Sequence, residues 1–217
     1  MKSLNLGCGT DIRPGWVNLD AAGLPGVDVV HDLNRMPLPF VDCEFSLIHA
    51  KDVLEHVRYV EVLRELHQIL ASGGIWKIQL PQFASADNYI DLTYSSQFSI
   101  QNFDSFVANK RDALIYSIGS AYGPMERQQI KFFSARLLRK SLVQPLGNSQ
   151  IKLQEYYALT HLDRLYPVQK ITVALRRRHG RSVAAKMGMA TALEAPAASL
   201  SRHGASVYCP AALLAIQ

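Results

Sequence analysis

The chain has 217 residues, 48% of them hydrophobic, which suits one soluble domain with a substantial core and does not force a second. No apolar run approaches a membrane span, and the first residues enter a strand without the charged start, apolar stretch and cleavage site of a signal peptide, so a cytoplasmic protein is expected. The formal charge of +5 permits an anionic partner without demanding one, because much of it falls late, in Arg176-Arg177-Arg178-His179-Gly180-Arg181, which reads as a solvated basic end.

In chain order, Lys2 to Leu6 is an apolar strand that runs into the turn Gly7-Cys8-Gly9-Thr10, and Trp16 to Leu19 is a second strand ended by Asp20. Paired glycines after a strand let backbone N–H groups approach a ligand that a Cβ would hold away. An acid at the tip of the next strand can take a ribose diol. In isolation the same residues also describe an ordinary turn and a strand-end acid. Val27 to His31, Phe45 to Ala50 and Ile75 to Leu80 follow as short, nearly all-apolar strands, the pattern expected when helices cover both faces of a parallel sheet. Tyr59, Val62, Leu63, Leu66, Ile69 and Leu70 recur at helical spacing, with Gly73-Gly74 as the helix stop.

Residues 83 to 129 are polar and aromatic-rich with weak periodicity, and are expected to form an insertion over the site, with a helix from Ser105 to Ser117. A helix is expected from Ala135 to Val143, capped by Ser134, then a turn at Pro145-Leu146-Gly147-Asn148, a strand from Ile151 to Ala158 and a last strand from Lys170 to Leu175. The Ala/Ser-rich tail 181–217 is expected to be partly disordered. Cys8, Cys43 and Cys209 fall in no metal-ligand spacing and argue against a disulfide framework and a zinc site; each reads as a small buried or half-buried residue.

Several of these segments together resemble the class I S-adenosylmethionine-dependent methyltransferases, in the small bacterial branch whose first helix is cut short. The resemblance rests on Leu4-Asn5-Leu6-Gly7-Cys8-Gly9, Gly15-Trp16-Val17-Asn18-Leu19-Asp20, Val29-Val30-His31-Asp32-Leu33-Asn34, Pro37-Leu38-Pro39-Phe40, Asp52-Val53-Leu54-Glu55-His56-Val57, Leu63-Arg64-Glu65-Leu66 and Gly73-Gly74, in that order. It covers residues 2 to 81 well, with weaker echoes at Lys131-Phe132-Phe133-Ser134 and Lys170 to Leu175. It implies a Rossmann-like α/β fold: a seven-stranded, mostly parallel sheet with an antiparallel last strand, in a methyltransferase domain 1–180 carrying the lid-like insertion 82–130. The interval from Gly7 to Asp20 is shorter than a dinucleotide fingerprint and disfavours NAD. Ala71-Ser72 stands where the family usually has Lys-Pro.

The resemblance implies S-adenosyl-L-methionine as cofactor. Gly7 and Gly9 would admit its methionyl part, with Asn5 and Cys8 lining the turn. Asp20 would hold the ribose, Asp32 and Leu33 the adenine, and Ala50 and Lys51 would lie at the fourth strand's ligand-facing end. A helix starting here would put Asp52 and His56 on one face at i, i+4, as candidate catalytic residues that could contact the cofactor, position the acceptor or remove its proton. A metal held by His49, Asp52 and His56 is disfavoured for want of a completed ligand set. By analogy the acceptor is a small molecule or glycan methylated on oxygen. The alternatives are a cofactor-binding subunit without activity of its own, and an RNA-directed enzyme; nucleic acid is disfavoured because no RNA-binding module is present.

Overall fold

The computed structural model describes residues 1–106, 125–133, 141 and 143–178. Its strands are β1 (Lys2–Leu6), β2 (Val17–Asp20), β3 (Val29–Val30), β4 (Phe45–Lys51), β5 (Leu70–Pro81), β6 (Met125–Phe133) and β7 (Lys170–Arg177), in one sheet ordered β3-β2-β1-β4-β5-β7-β6. β3, β2, β1, β4 and β5 are mutually parallel, and β7 runs antiparallel to both β5 and β6. The mostly parallel sheet with an antiparallel last strand is therefore the architecture expected.

Register fixes what each face carries, because side chains alternate along a strand. Leu4, Ile48, Trp76 and Leu175 are in register, as are Leu19, Leu6, Ala50, Ile78 and Val173, and all are buried. Helix α1 (Tyr59–Ile69) packs Val62, Leu63 and Leu66 into this core, the Trp76 indole donates to the Leu66 carbonyl at 3.4 Å, and the short α2 (Asp87–Ile90) follows β5. The opposite face has the row Asn18, Asn5, His49, Lys77 and Ala174, with Leu47 and Ile75 half-buried and Lys77 exposed. Among the described residues the centre of this second face is thus polar. The reason is local: the β1–β2, β2–β3 and β3–β4 connections are short and contain no helix, so nothing there requires an apolar surface beneath it.

Other expectations are corrected. Residues 151–158 form helix, not strand: α4 (Ile151–Leu159) follows α3 (Gln144–Ser149), which replaces the turn expected at Pro145 to Asn148. Apolar alternation at Ile151 and Leu153 suggested a strand, yet both are exposed. The buried pair is Gln154 and Tyr157, at helical i, i+3 spacing. Gln154 Nε2 donates to the Ile130 carbonyl at 2.9 Å and Tyr157 packs on Phe132 with ring centroids 5.0 Å apart. Pro145 is tolerated in the first turn of α3, where its missing N–H costs nothing.

The seventh strand is instead β6, so residues 125–130 belong to the sheet edge and not to the insertion. Met125, Ile130 and Phe132 are buried there while Lys131 and Phe133 are exposed. α1 ends at Ile69, where Leu70 turns extended, so Gly73-Gly74 is no helix stop. These glycines loop out of β5 between the pairs Phe45–Leu70 and Leu47–Ile75, with Gly73 at φ +77°. β2 and β3 begin one and two residues later than expected. Cys8 is buried with a free thiol, and Cys209 lies outside the described residues. The helix expected over Ala135 to Val143 lies mostly outside the described residues, as do most of Ser105 to Ser117 and all of the tail 181–217. No helix among the described residues is long and apolar enough to cross a membrane.

Candidate functional site

In chain order the sheet grows from β1 to β2 and β3 on one side, then turns back to β4 on the other. Ligands of open α/β sheets gather at the carboxyl ends of strands where the order reverses, here between β1 and β4. Gly7 and Gly9 sit on that edge with φ of +60° and +50°, a region glycine enters without strain. The two differ in why they lack a side chain. A Cβ on Gly7 would fall 2.4 Å from Val53 Cγ2, so Gly7 lets the loop after β4 close against the turn. A Cβ on Gly9 would meet nothing within 4 Å.

Asp20 faces this opening. Its Oδ2 accepts from the Gly9 N–H at 2.7 Å and its Oδ1 from Ala22 N–H at 2.9 Å, one bond per oxygen, which leaves lone pairs for further donors. Asn5 is a brace and not a lining residue. It is 2% exposed, and its amide donates to the Asp11 carbonyl at 2.7 Å and to Asn18 Oδ1 at 3.1 Å, which ties the turn to β2. Cys8 is likewise buried, and its N–H donates to the Leu19 carbonyl at 3.0 Å. Asp28, which the sequence reading passed over, receives both the backbone N–H and the amide of Asn18 at 2.8 and 3.0 Å, and these bonds hold its carboxyl below the usual range.

Beneath the turn, Arg13 lies 5.0 Å over the Trp16 ring and reaches His49 Nε2 at 3.5 Å. Burial, reinforced by Arg13, pushes the His49 pKa down to about 4, so the imidazole is neutral at physiological pH. Asp32 Oδ1 accepts from Asn34 N–H at 2.9 Å, while Leu33 is buried. Beyond β3 the carboxylate is therefore the group on offer, while Leu33 packs into the core and presents no surface for a ring. Ala50 is buried in the ladder between Leu6 and Ile78, and Lys51 is exposed at the strand end.

Asp52 and His56 do not share a helix face. Asp52 has φ +54°, which breaks the chain's direction after β4, and only a single 3-10 turn, Leu54–His56, follows. Asp52 Oδ2 pairs with Lys170 Nζ of β7 at 2.5 Å, and its Oδ1 is buried without a hydrogen-bond partner. His56 Nδ1 instead meets Thr93 Oγ1 at 2.8 Å, and its ring stands edge-on to Tyr94 at 4.9 Å. Glu55 between them is fully buried with neither carboxylate oxygen bonded; burial pushes its pKa up to about 7. Lys170 and Thr93 were missed, being 37 or more residues from the side chains they meet. The Asp91-Leu92-Thr93 spacing was the one available signal, since it suits a side chain bonding its own backbone two residues on.

Past the end of β5 a cavity of about 390 Å³ opens between residues 97–102 and 158–164. Phe83, Gln97, Ser99, Asn102, Thr160 and Arg164 are among its lining residues. The segment that forms one wall is tied down just before it, where Ser95 N–H donates to the Glu55 carbonyl at 2.7 Å, and within it, where Phe83 N–H donates to the Phe98 carbonyl at 2.7 Å.

No protein-family model matches the chain, and no curated protein does. Among solved structures, the chain is similar to a SAM-dependent methyltransferase from Archaeoglobus fulgidus, at 14% identity over 81% of this chain and 85% of that one, with a TM-score of 0.51. A second match is the S-adenosylmethionine-dependent methyltransferase from Mesorhizobium loti, at 15% identity over 81% and 90% of the two chains, with a TM-score of 0.43. The first of these likenesses, with the strand order above, shows that the chain has the fold of the class I S-adenosylmethionine-dependent methyltransferases.

Proposed function

We propose that this protein is a methyltransferase that uses S-adenosyl-L-methionine to methylate an oxygen atom of a small-molecule or saccharide acceptor. The observation that carries the reading is Gly9: a left-handed residue at the switch point, its missing Cβ facing open space and its N–H fixed by the Asp20 carboxylate. The residues present fit the cofactor. Gly7 and Gly9 would leave room for its methionyl part, Asp20 retains lone pairs for the ribose hydroxyls, and Asp32 offers an acceptor for the adenine amine, with Leu33 anchoring that loop in the core. Lys51 and the end of β4 would border it, with Asn5 and Cys8 holding the turn from below.

When bound, the cofactor supplies an electrophilic methyl group on a sulfonium that leaves as a neutral thioether. What the protein must add is orientation, which in model systems lowers a barrier by about 7–11 kcal/mol, and a place for the acceptor's proton. Asp52 is occupied by Lys170 and Glu55 is enclosed, which leaves the half-buried imidazole of His56 as the candidate proton acceptor on this edge. The cavity past β5, lined by amides, two hydroxyls, a carboxylate and a guanidinium with Phe83, supports a hydroxyl-rich acceptor of ligand size.

Calorimetric titration with S-adenosylmethionine and S-adenosylhomocysteine tests the reading. Binding that is lost in Asp20→Ala is expected; a folded protein that binds neither would end it. Acceptor binding should depend weakly on salt, and a steep decline with added salt would point to nucleic acid instead.

A further inference from the structure

We propose that Asp91 and Thr93 are positioning residues that hold the His56 imidazole as its Nδ1–H tautomer and so present Nε2 as the proton acceptor. The inference rests on the methyl-transfer reading for the identity of the proton donor, but the tautomer stands on hydrogen-bond bookkeeping alone.

A threonine hydroxyl has one proton and two lone pairs. Asp91 Oδ1 takes the Thr93 hydroxyl at 2.6 Å and the Thr93 N–H at 2.9 Å. Those two bonds hold the Asp91 carboxyl below its ordinary range, so it is an ionised, accept-only group. The hydroxyl proton is therefore spent on Asp91, and Thr93 Oγ1 can only accept from its other neighbour, His56 Nδ1 at 2.8 Å. Nδ1 must then carry a hydrogen, and in the neutral ring Nε2 has the lone pair.

The segment bearing Thr93 is held beside His56 independently of this chain. Ser95 and Ser96 N–H groups donate to the Glu55 carbonyl at 2.7 and 3.3 Å, and Ser95 Oγ does so at 3.1 Å. Tyr94 meets the imidazole edge-on at an interplanar angle of 78°, which restrains the plane of the ring. The charged and titratable groups around His56 are Asp91 through Thr93, Tyr94, and on its own turn Glu55 and Asp52, the last neutralised by Lys170. In the reaction, the acceptor's O–H bond breaks as its oxygen takes the methyl group and the S–CH3 bond breaks. The proton passes to Nε2, and the resulting imidazolium keeps its Nδ1–H bond to Thr93, with the Asp91 charge behind it. The arrangement follows the logic by which a carboxylate orients a catalytic imidazole, here through an intervening hydroxyl.

The test is nitrogen-detected NMR of the histidine rings in the full chain without ligand, with His56 assigned by His56→Gln. Nδ1–H is expected as the major neutral tautomer in the native protein and in Thr93→Ser, and Nε2–H in Thr93→Val. In Asp91→Ala the Thr93 hydroxyl proton is released, so the excess of the Nδ1–H tautomer should shrink. Nε2–H as the native tautomer, or a tautomer ratio unmoved in Asp91→Ala, would overturn the proposal. Cofactor calorimetry on the same samples separates the two ideas: intact binding with the wrong tautomer defeats only this inference, and absent binding in the native protein defeats the methyltransferase reading.

Discussion

Gly7 and Gly9 share a left-handed backbone yet should respond very differently to the same added methyl. Alanine in that conformation costs about 1–2 kcal/mol at either position. At Gly9 nothing more is added, because the new Cβ enters open space. At Gly7 the Cβ would lie 2.4 Å from Val53 Cγ2 and 2.8 Å from Val53 Cβ, and a β-branched side chain has little freedom to turn away. Overpacking of that kind costs about 1–3 kcal/mol more, for a total of about 2–5 kcal/mol. In urea denaturation, with a slope of roughly 2 kcal/mol/M, Gly7→Ala should lower the midpoint by roughly 1–2.5 M and Gly9→Ala by roughly 0.5–1 M. Adding Val53→Ala to Gly7→Ala removes the 2.4 Å contact but keeps the one at 2.8 Å, so a coupling of about 1 kcal/mol is expected. Cofactor binding should show the reverse order per unit of stability lost, with Gly9→Ala weakening it while the protein remains folded. Equal midpoints for the two single variants, or no coupling with Val53, would refute this assignment of their roles.

Two pH effects follow from buried groups. Burial raises Glu55 from an ordinary 4.5 to about 7, so between these values the folded chain binds more protons than the unfolded one, and stability falls as pH rises. Glu55→Gln should therefore be more stable than the native protein at pH 8, by about 1–3 kcal/mol, with the advantage gone near pH 5; urea melts at the two pH values check this. His49 and His67 are pushed the other way, down to about 4, each chiefly by burial, and each is held neutral in the fold. Their stabilising effect is complete above the ordinary histidine range and is lost as pH falls from about 6.5 to 4, at up to about 1.4 kcal/mol per pH unit each. His67→Phe should flatten that acid limb in thermal melts followed across pH, and an unchanged limb would show that His67 is not neutral in the native state.

The first half of the fold was readable because its signals are local. Five short apolar strands, one amphipathic helix and glycines at strand ends each announce themselves within a few residues. β1 was placed without error, and β4 and β7 with only their ends to adjust. The second half was not, because its hydrophobic pattern serves a sheet edge. Ile151 and Leu153 alternate like a strand while lying on the exposed side of α4, and Lys131-Phe132-Phe133 suggests a helix approach while forming β6. In the candidate site, Gly7, Gly9 and Asp20 could be read as a unit, since a strand and its turn bring them together. The partners of Asp52 and His56 could not. Lys170 and Thr93 are distant in sequence, and the positive φ of Asp52 cancels the helical spacing that seemed to pair it with His56.

The register of β5 with β7 has a bearing on how such a chain can change. Pro81, where the chain leaves β5, is directly opposite Lys170, where β7 begins, and the chain between them adds the edge strand β6. A long excursion that departs and rejoins at neighbouring points can be lengthened, shortened or exchanged for a small closure cost, which grows only with the logarithm of its length. The switch-point half, from β1 to β5, is complete before the excursion starts, so the part of the molecule that would choose an acceptor is attached like an interchangeable head on a fixed handle. Chimeras that keep residues 1–81 and 170–178 and replace the intervening chain, edge strand β6 included, with that of a fold relative are the natural way to redirect such a protein.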